Sequence, residues 1–152
     1  MPTTRRDTQA LTTDLIEALG PLLAQQRQKW AERCQAHGLS LMGFHALSLL
    51  EMHGPTPMSR LADDLGVALP NASGIVNRLA ERGIVAREHD AEDRRVVRVS
   101  LTDAGRRLIG EMEDARRSRI RQLVSALDAA QQASLLQSVR DLRDAAIAID
   151  GE

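Results

Sequence analysis

Two groups of polar side chains in the middle of the chain have the chemistry that nucleic-acid contact requires. The first group consists of Asn71, Ser73, Gly74, Asn77 and Arg78, in a predicted helix over residues 70–82. The polar face of that helix carries Pro70, Ser73, Gly74, Asn77, Arg78 and Glu81. Asparagine amides can pair with adenine and arginine guanidinium groups with guanine, each with roughly 1–3 kcal/mol of discrimination. The second group is the charged turn of Asp93, Arg94 and Arg95. A forked guanidinium suits a phosphate or a narrow minor groove.

The pattern around these groups predicts the elements that position them. At 100° per residue, the opposite face of the same helix is apolar and carries Ala72, Ile75, Val76 and Leu79. A shorter helix precedes it; Thr56 is predicted to cap that helix, with Pro57 at its first position and Gly66 at its end. Two strands over residues 84–89 and 96–101 follow, joined by the charged turn, and form a hairpin. The order predicts a winged helix-turn-helix, which places one helix in the DNA major groove and a hairpin beside it.

Longer helices flank this region. Ser40 is a predicted N-cap for a helix over residues 41–52 that Gly54 ends, and Thr102 is a predicted cap for a long helix. Asp128 with Gln131 is typical of a capping box at the start of the last helix.

The terminal helices carry more apolar residues than a small core can cover. An apolar stripe runs through the first helix, which Gly20-Pro21 interrupts, so we expect either a kinked helix or two helices there. The excess apolar surface predicts that a second copy of the chain covers it and that the protein is a homodimer.

Composition excludes several classes of protein. The 152 residues favour one domain, and a net charge of −1 predicts no overall basic surface. Trp30 and Phe44 are the only aromatic residues, which argues against single-strand binding by base stacking. The single cysteine excludes an intrachain disulfide, and no apolar run suits a membrane span or a signal peptide. We therefore expect a cytoplasmic protein with no membrane partner.

The chain resembles the MarR family of bacterial transcription regulators over about residues 11–149, most sharply over residues 39–108. The ordered set that carries the resemblance is Leu61-Ala62, Leu65-Gly66-Val67, Ile75-Val76-Asn77-Arg78-Leu79, Gly83-Ile84-Val85, Arg87, Asp93-Arg94-Arg95 and Leu101-Thr102-Asp103-Ala104-Gly105. It implies a mainly α fold with a small β-hairpin wing. Residues 39–102 would form the winged helix-turn-helix, and residues 1–38 and 103–152 the N- and C-terminal dimerisation helices, as one integrated domain.

The resemblance also assigns roles to the two polar groups. It puts base and phosphate contacts on the first group, although Arg78 could instead be a structural residue paired with an acid such as Asp64. In the wing the acid orders the loop and an arginine reaches the minor groove or its phosphates. We expect Arg94 to face DNA and Arg95 to pair with Asp93. The alternatives are the reverse assignment of the two arginines and an ion-paired hairpin without DNA contact. One departure from the family is Ala68, where a capping Ser or Thr is common.

Further sites are implied less directly. An effector pocket for a small aromatic or phenolic acid would involve Trp30, Arg33, His37, Phe44 and His45. The alternative makes Trp30 and Phe44 core residues and His45 a satisfied interior histidine. Cys34 is either a redox sensor or a buried inert thiol. His37, His45, His53 and His89 with Cys34 show no strong ligand spacing, so neither a metal nor another cofactor is expected.

The resemblance implies a homodimeric regulator that binds a pseudopalindromic double-stranded operator and represses transcription until a small effector releases it. A helical interaction protein that has lost DNA binding is the alternative. An enzyme ranks third, because no catalytic motif is present.

Overall fold

The computed structural model describes residues 5–151, and the side chains of residues 9–151. Six helices and three strands follow in the order α1 (Arg5–Ala36), α2 (Leu41–His53), β1 (Thr56–Pro57), α3 (Met58–Leu65), α4 (Leu69–Glu81), β2 (Val85–His89), β3 (Val97–Leu101), α5 (Asp103–Ser125) and α6 (Ala129–Asp150). The strands form one antiparallel sheet in the order β1-β3-β2. The mainly α winged helix-turn-helix expected from the sequence is confirmed.

Local capping explains where several helices begin and end. The Ser40 hydroxyl accepts a hydrogen bond from the Gly43 amide at 2.9 Å, as predicted for α2. Gly54 and Gly66 close α2 and α3 with φ of 71° and 66°, which glycine adopts without strain. At the start of α6, the predicted box is present: Asp128 accepts from the Gln131 amide at 2.9 Å, and the Gln131 side chain accepts from the Asp128 amide at 2.9 Å.

The predicted helix start at Thr56-Pro57 is wrong. Both residues belong to strand β1, where Thr56 pairs with Val99 and Pro57 with Arg98. The Thr56 hydroxyl donates to the Gly54 carbonyl at 2.9 Å instead of capping α3, which begins at Met58 without a side-chain cap. A residue before proline favours extended backbone, so Thr-Pro suits a short edge strand as well as a helix start. The predicted hairpin is thereby part of a three-stranded sheet.

The first helix is continuous. Residues 5–36 form one α-helix with Pro21 inside it, so of the two expected alternatives the one with two helices meeting at Gly20-Pro21 is wrong. Proline removes one backbone donor from the helix interior, yet the helix continues on both sides of it.

The chain divides into two compact units, residues 1–112 and 113–152. In the first, the core consists of apolar side chains from α1 to α5 and the sheet; α4 contributes Ala72, Ile75, Val76 and Leu79, the face predicted to be buried. In the second, Gln132 donates to the carbonyls of Val124 and Leu127 at 3.2 and 2.9 Å, which ties α6 to the turn before it.

A close backbone contact joins the sheet to the start of α5. The Ile84 carbonyl accepts from the Thr102 amide at 3.1 Å, and Thr102 Oγ1 accepts from the Gly105 amide at 3.1 Å, so Thr102 caps α5 as predicted. A Cβ on Gly105 would lie 2.1 Å from the Ile84 carbonyl oxygen. Only glycine permits this approach, and the base of the hairpin depends on it.

We expect Gly105→Ala to lower the free energy of unfolding by about 2 kcal/mol or more, because overpacking at a rigid backbone contact forces α5 away from the sheet. Gly110→Ala is the matched control on the same helix, since nothing lies within 4 Å of a Cβ there. It should raise stability by about 0.8 kcal/mol through helix propensity. Urea unfolding followed by circular dichroism measures both changes; equal effects of the two substitutions would contradict the assigned contact.

Candidate nucleic-acid interface

The outer face of α4 carries all five polar or small residues of the first group. Asn71, Asn77 and Arg78 are exposed, and Ser73 and Gly74 are half-buried, opposite the four buried apolar residues. The helix begins after Ala68, which makes no side-chain cap, and Pro70 occupies its first turn. The preset φ of proline favours the helical start that the missing cap leaves unsupported.

The structure does not pair Arg78 with Asp64. The ion-pair partner of Asp64 is Arg60, one helical turn earlier on α3, at 3.7 Å. No carboxylate of the described residues lies within ion-pair distance of Arg78. The structural alternative for Arg78 is therefore wrong in the form given, and its guanidinium remains open to an external anion.

Asn77 has a partner that sequence reasoning did not predict. Arg87, in the middle of β2, donates a hydrogen bond from Nη1 to Asn77 Oδ1. The bond joins the outer face of α4 to the hairpin, and its two partners stand on elements that only the tertiary fold brings together. Arg87 is part of the set of residues that carries the family resemblance, but the resemblance assigned it no role. Its position in a predicted strand next to α4 in the chain was the one sequence feature that could have pointed to this contact.

The wing turn is arranged around Asp93. The Arg95 side chain forms a two-pronged pair with it, Nε to Oδ1 at 3.0 Å and Nη2 to Oδ2 at 3.1 Å, and the Arg95 amide donates to Oδ1 at 3.0 Å. These bonds lower the pKa of the Asp93 carboxyl. Arg94 is exposed and its side chain has no described partner, while its carbonyl accepts from His89 Nδ1 at 2.8 Å. Arg95 thus orders the turn, and Arg94 projects from it.

A second carboxylate orders the wing and was missed from the sequence. Asp90 accepts from the amides of Glu92 and Asp93 at 2.9 and 3.2 Å and forms an ion pair with Arg98 of β3. The hydrogen bond from Arg98, followed by the two amides, lowers the pKa of Asp90 to about 2. An aspartate that begins a turn and bonds amides two and three residues on is a recognisable turn signal.

The five residues assigned to an effector pocket are partly brought together. The rings of Trp30 and Phe44 meet edge to face with centroids 4.9 Å apart; Phe44 is buried and Trp30 half-buried. Arg33 is exposed, and the His37 carbonyl accepts from Arg82 at 2.7 Å. His45 is exposed, so its interpretation as an interior histidine is wrong.

Cys34 is fully buried in the core, and burial raises the pKa of its thiol. Because the thiolate is the reactive form, this environment favours the inert alternative. Among residues 5–151, no three His, Cys, Asp or Glu side chains lie close enough to hold a metal ion together.

Comparison with known proteins identifies the family. The model of the MarR family matches residues 39–97. NicR, an HTH-type transcriptional repressor of Pseudomonas putida, is 30% identical over 135 residues, a match that covers 86% of this chain and 85% of NicR. The chain belongs to the MarR family. Members of the family are transcription regulators and not enzymes.

Two relatives from Bacillus subtilis match a smaller part of the MarR-family chain. YfiV, an uncharacterised HTH-type transcriptional regulator, is 37% identical over 70 residues, or 46% of this chain. MdtR, an HTH-type transcriptional repressor, is 28% identical over 95 residues, or 62% of this chain. The matched parts span only 44% of YfiV and 61% of MdtR.

Solved structures share the fold of this MarR-family chain. YusO of Bacillus subtilis superposes with a TM-score of 0.82 at 24% identity, covering 90% of this chain and 97% of YusO. A point mutant of MepR from S. aureus, bound to an oligodeoxyribonucleotide, gives 0.70 at 19% identity and covers 85% of this chain and 96% of MepR. Among the described residues of the MarR-family chain, no helix combines the length and apolarity of a membrane span.

We expect the Asp90 carboxyl to titrate in the folded protein with a midpoint of about 2, against an ordinary value of 3.8. Because its folded pKa is depressed, the stability that it contributes is present above about pH 4 and is lost as the pH falls toward 2. Carbon-detected NMR of the side-chain carboxyls measures the midpoint.

In Arg98→Leu the midpoint for Asp90 should rise toward 3.8, since its strongest donor is gone. Arg106→Leu, which removes an exposed partner of Asp103 at 3.5 Å, is the control and should leave Asp90 unchanged. An Asp90 midpoint near 3.8 in the unsubstituted protein would contradict the ordering role.

Proposed function

We propose that this MarR-family chain binds double-stranded DNA as a homodimer, with α4 in the major groove and the β2–β3 hairpin against the adjacent backbone or minor groove. The observation that carries the proposal is the exposed face of α4, where Asn71, Ser73, Gly74, Asn77 and Arg78 lie together opposite a fully packed inner face. Amide, hydroxyl and guanidinium groups on one helix face suit base edges and phosphates.

Gly74 supports this proposal because the fold gives no reason for a glycine there. A Cβ at Gly74 would meet nothing within 4 Å, and its φ lies outside the left-handed region. A glycine in the interior of a helix costs about 0.8–1 kcal/mol relative to alanine. Close approach of an external surface, such as a DNA backbone, explains the residue.

Charge supports the same face although the whole chain is nearly neutral. Asp93 forms an ion pair with Arg95, and Asp90 forms one with Arg98. Arg78, Arg87 and Arg94 have no carboxylate partner among the described residues. Three uncompensated guanidinium groups on α4, β2 and the wing turn suit an anionic duplex.

Dimerisation is the part of the proposal that the terminal helices support. α6 has no buried residue, and its apolar side chains are exposed, among them Leu142 at 66% and Ile147 at 65%. α1 exposes a similar stripe that includes Leu11 at 58% and Leu23 at 63%. Apolar stripes of this extent favour burial against a second copy, and two copies related by a two-fold axis match a pseudopalindromic operator.

Repression and release by a small molecule complete the proposal. NicR and MdtR are named as repressors, and the MepR mutant is bound to an oligodeoxyribonucleotide, which supports a DNA-binding repressor here as well. For the effector we favour an aromatic or phenolic acid near Trp30, Arg33, His37, Phe44 and His45. Trp30 is the single tryptophan and lies at the edge of the core.

Titration of the Trp30 fluorescence with hydroxybenzoic acids therefore tests the proposed effector class directly. An unchanged fluorescence signal would count against an aromatic or phenolic acid effector.

We expect the purified protein to prefer its own upstream duplex over a scrambled one, with an affinity that falls steeply with salt, at a log–log slope near −0.9 per phosphate neutralised. Gly74→Ala should raise the free energy of unfolding by about 0.8 kcal/mol yet weaken binding, because the added methyl stands on the contact face. Fluorescence anisotropy across a salt series and urea unfolding measure the two effects.

Gly110→Ala provides the control for that experiment. It should give the same stabilisation without any change in DNA affinity, since it lies on α5 away from the proposed interface. Equal weak binding to both duplexes with a flat salt response would instead favour the interaction protein that has lost DNA binding.

Leu142→Glu should shift the protein from dimer to monomer at micromolar concentration, because it puts a charge into the apolar stripe of α6. Arg140→Gln is the control, because it also lowers the net charge by one. Arg140 lies about 200° around the helix from Leu142, outside the apolar stripe, so this substitution should leave the dimer intact. Sedimentation velocity distinguishes the species, and a monomeric unsubstituted protein would refute the dimer.

A further inference from the structure

The hydrogen bond between Arg87 and Asn77 fixes which chemical groups α4 presents. A guanidinium has only donors, so the atom of the Asn77 amide that faces Arg87 must be the carbonyl oxygen. The NH2 group of the same amide then points away from β2. The orientation of this amide therefore follows from the chemistry of its partner.

The pairing of β2 with β3 fixes the place of Arg87. It lies at the centre of β2, opposite Val99 of β3 in the antiparallel ladder. Together with Ser73 and Arg95 it lines a cleft between α4 and the hairpin. No described carboxylate lies within ion-pair distance of Arg87, so no acid competes with Asn77 for its guanidinium.

A bidentate pair between asparagine and adenine needs the amide oxygen to accept from the adenine N6 amino group while the amide NH2 donates to N7. In this protein that oxygen already accepts from Arg87. Although it keeps a second lone pair, the adenine amino group would have to approach beside a positively charged guanidinium. Asn77 and Arg87 together present donors, and guanine presents two acceptors, N7 and O6, in the major groove.

We propose that Arg87 is a specificity-determining residue, which holds the Asn77 amide so that this helix position selects guanine and disfavours adenine. The inference rests on the proposed function, and it revises the general expectation that asparagine on this face pairs with adenine. Arg87 acts through Asn77, as a positioning residue, and its remaining N–H groups add to the donor surface.

The test is selection from a randomised duplex library with the full chain, followed by sequencing of the enriched duplexes. Asn77→Ala identifies the relevant base pair as the one in each half-site whose preference disappears. At that base pair the unsubstituted protein should favour guanine about tenfold over adenine. Arg87→Leu should shift the preference toward adenine, whereas Arg87→Lys, which keeps a donor, should retain guanine.

Arg94→Leu is the matched control, because it removes the same charge from the wing. It should weaken binding to all sequences and leave the preference at that base pair unchanged. Selection of adenine by the unsubstituted protein, or an unaltered preference in Arg87→Leu, would overturn the specificity role.

A second measurement separates this inference from the proposed function. In the free protein, the side-chain NH2 resonances of Asn77 should move on Arg87→Leu and stay in place on Arg94→Leu. If the unsubstituted chain enriches no sequence while these resonances move as expected, the DNA function fails and the pair stands. If the resonances stay unchanged in Arg87→Leu, the positioning role fails whatever the library shows.

Discussion

The packing of the inner face of α4 against the core determines which side chains this helix presents to solvent. Ala72 and Val76 are completely buried and Leu79 nearly so, which leaves α4 no freedom to rotate about its axis. A rotation by one residue, about 100°, would drive polar groups into the core and expose apolar ones, at the cost of unsatisfied buried hydrogen-bonding groups. The burial of the inner face therefore decides that Asn77 and Arg78 project outward. The candidate interface is in this sense a consequence of the core.

Hydrogen bonds and ion pairs, rather than apolar packing, hold the wing turn in place. Its turn has almost no apolar side chains to bury, so order comes from two carboxylates that each bind an arginine and backbone amides. Charge-assisted, two-pronged bonds are strong enough to define such a turn, although exposure to water limits what each contributes to stability. The same pairing removes two arginines and two acids from the charge balance. Arg78, Arg87 and Arg94 have no carboxylate partner among the described residues, so a chain of net charge −1 still presents unpaired guanidinium groups on α4, β2 and the wing turn.

Features with local causes could be predicted from the sequence, and features that depend on distant pairing could not. The Ser40 cap, the box at Asp128 and the inner face of α4 need only neighbours within a few residues, and each was predicted. Thr56-Pro57 has a local signal compatible with two structures, and pairing of Thr56 with the distant Val99 decides between them. The bond from Arg87 to Asn77 joins a strand to a helix, so helical and strand periodicity taken separately do not reveal it.

The far end of α4 is fixed by yet another long-range contact. The Arg82 guanidinium donates to the carbonyls of Gly38 at 2.6 Å and His37 at 2.7 Å, the two residues that directly follow α1. Positive charge at that helix terminus is favourable, and the fork satisfies two acceptors at once. A displacement of the end of α1 away from Arg82 would break both bonds and leave the two acceptors without this partner. Arg82 therefore links the end of α1 to the end of α4, the helix whose outer face we propose to contact DNA.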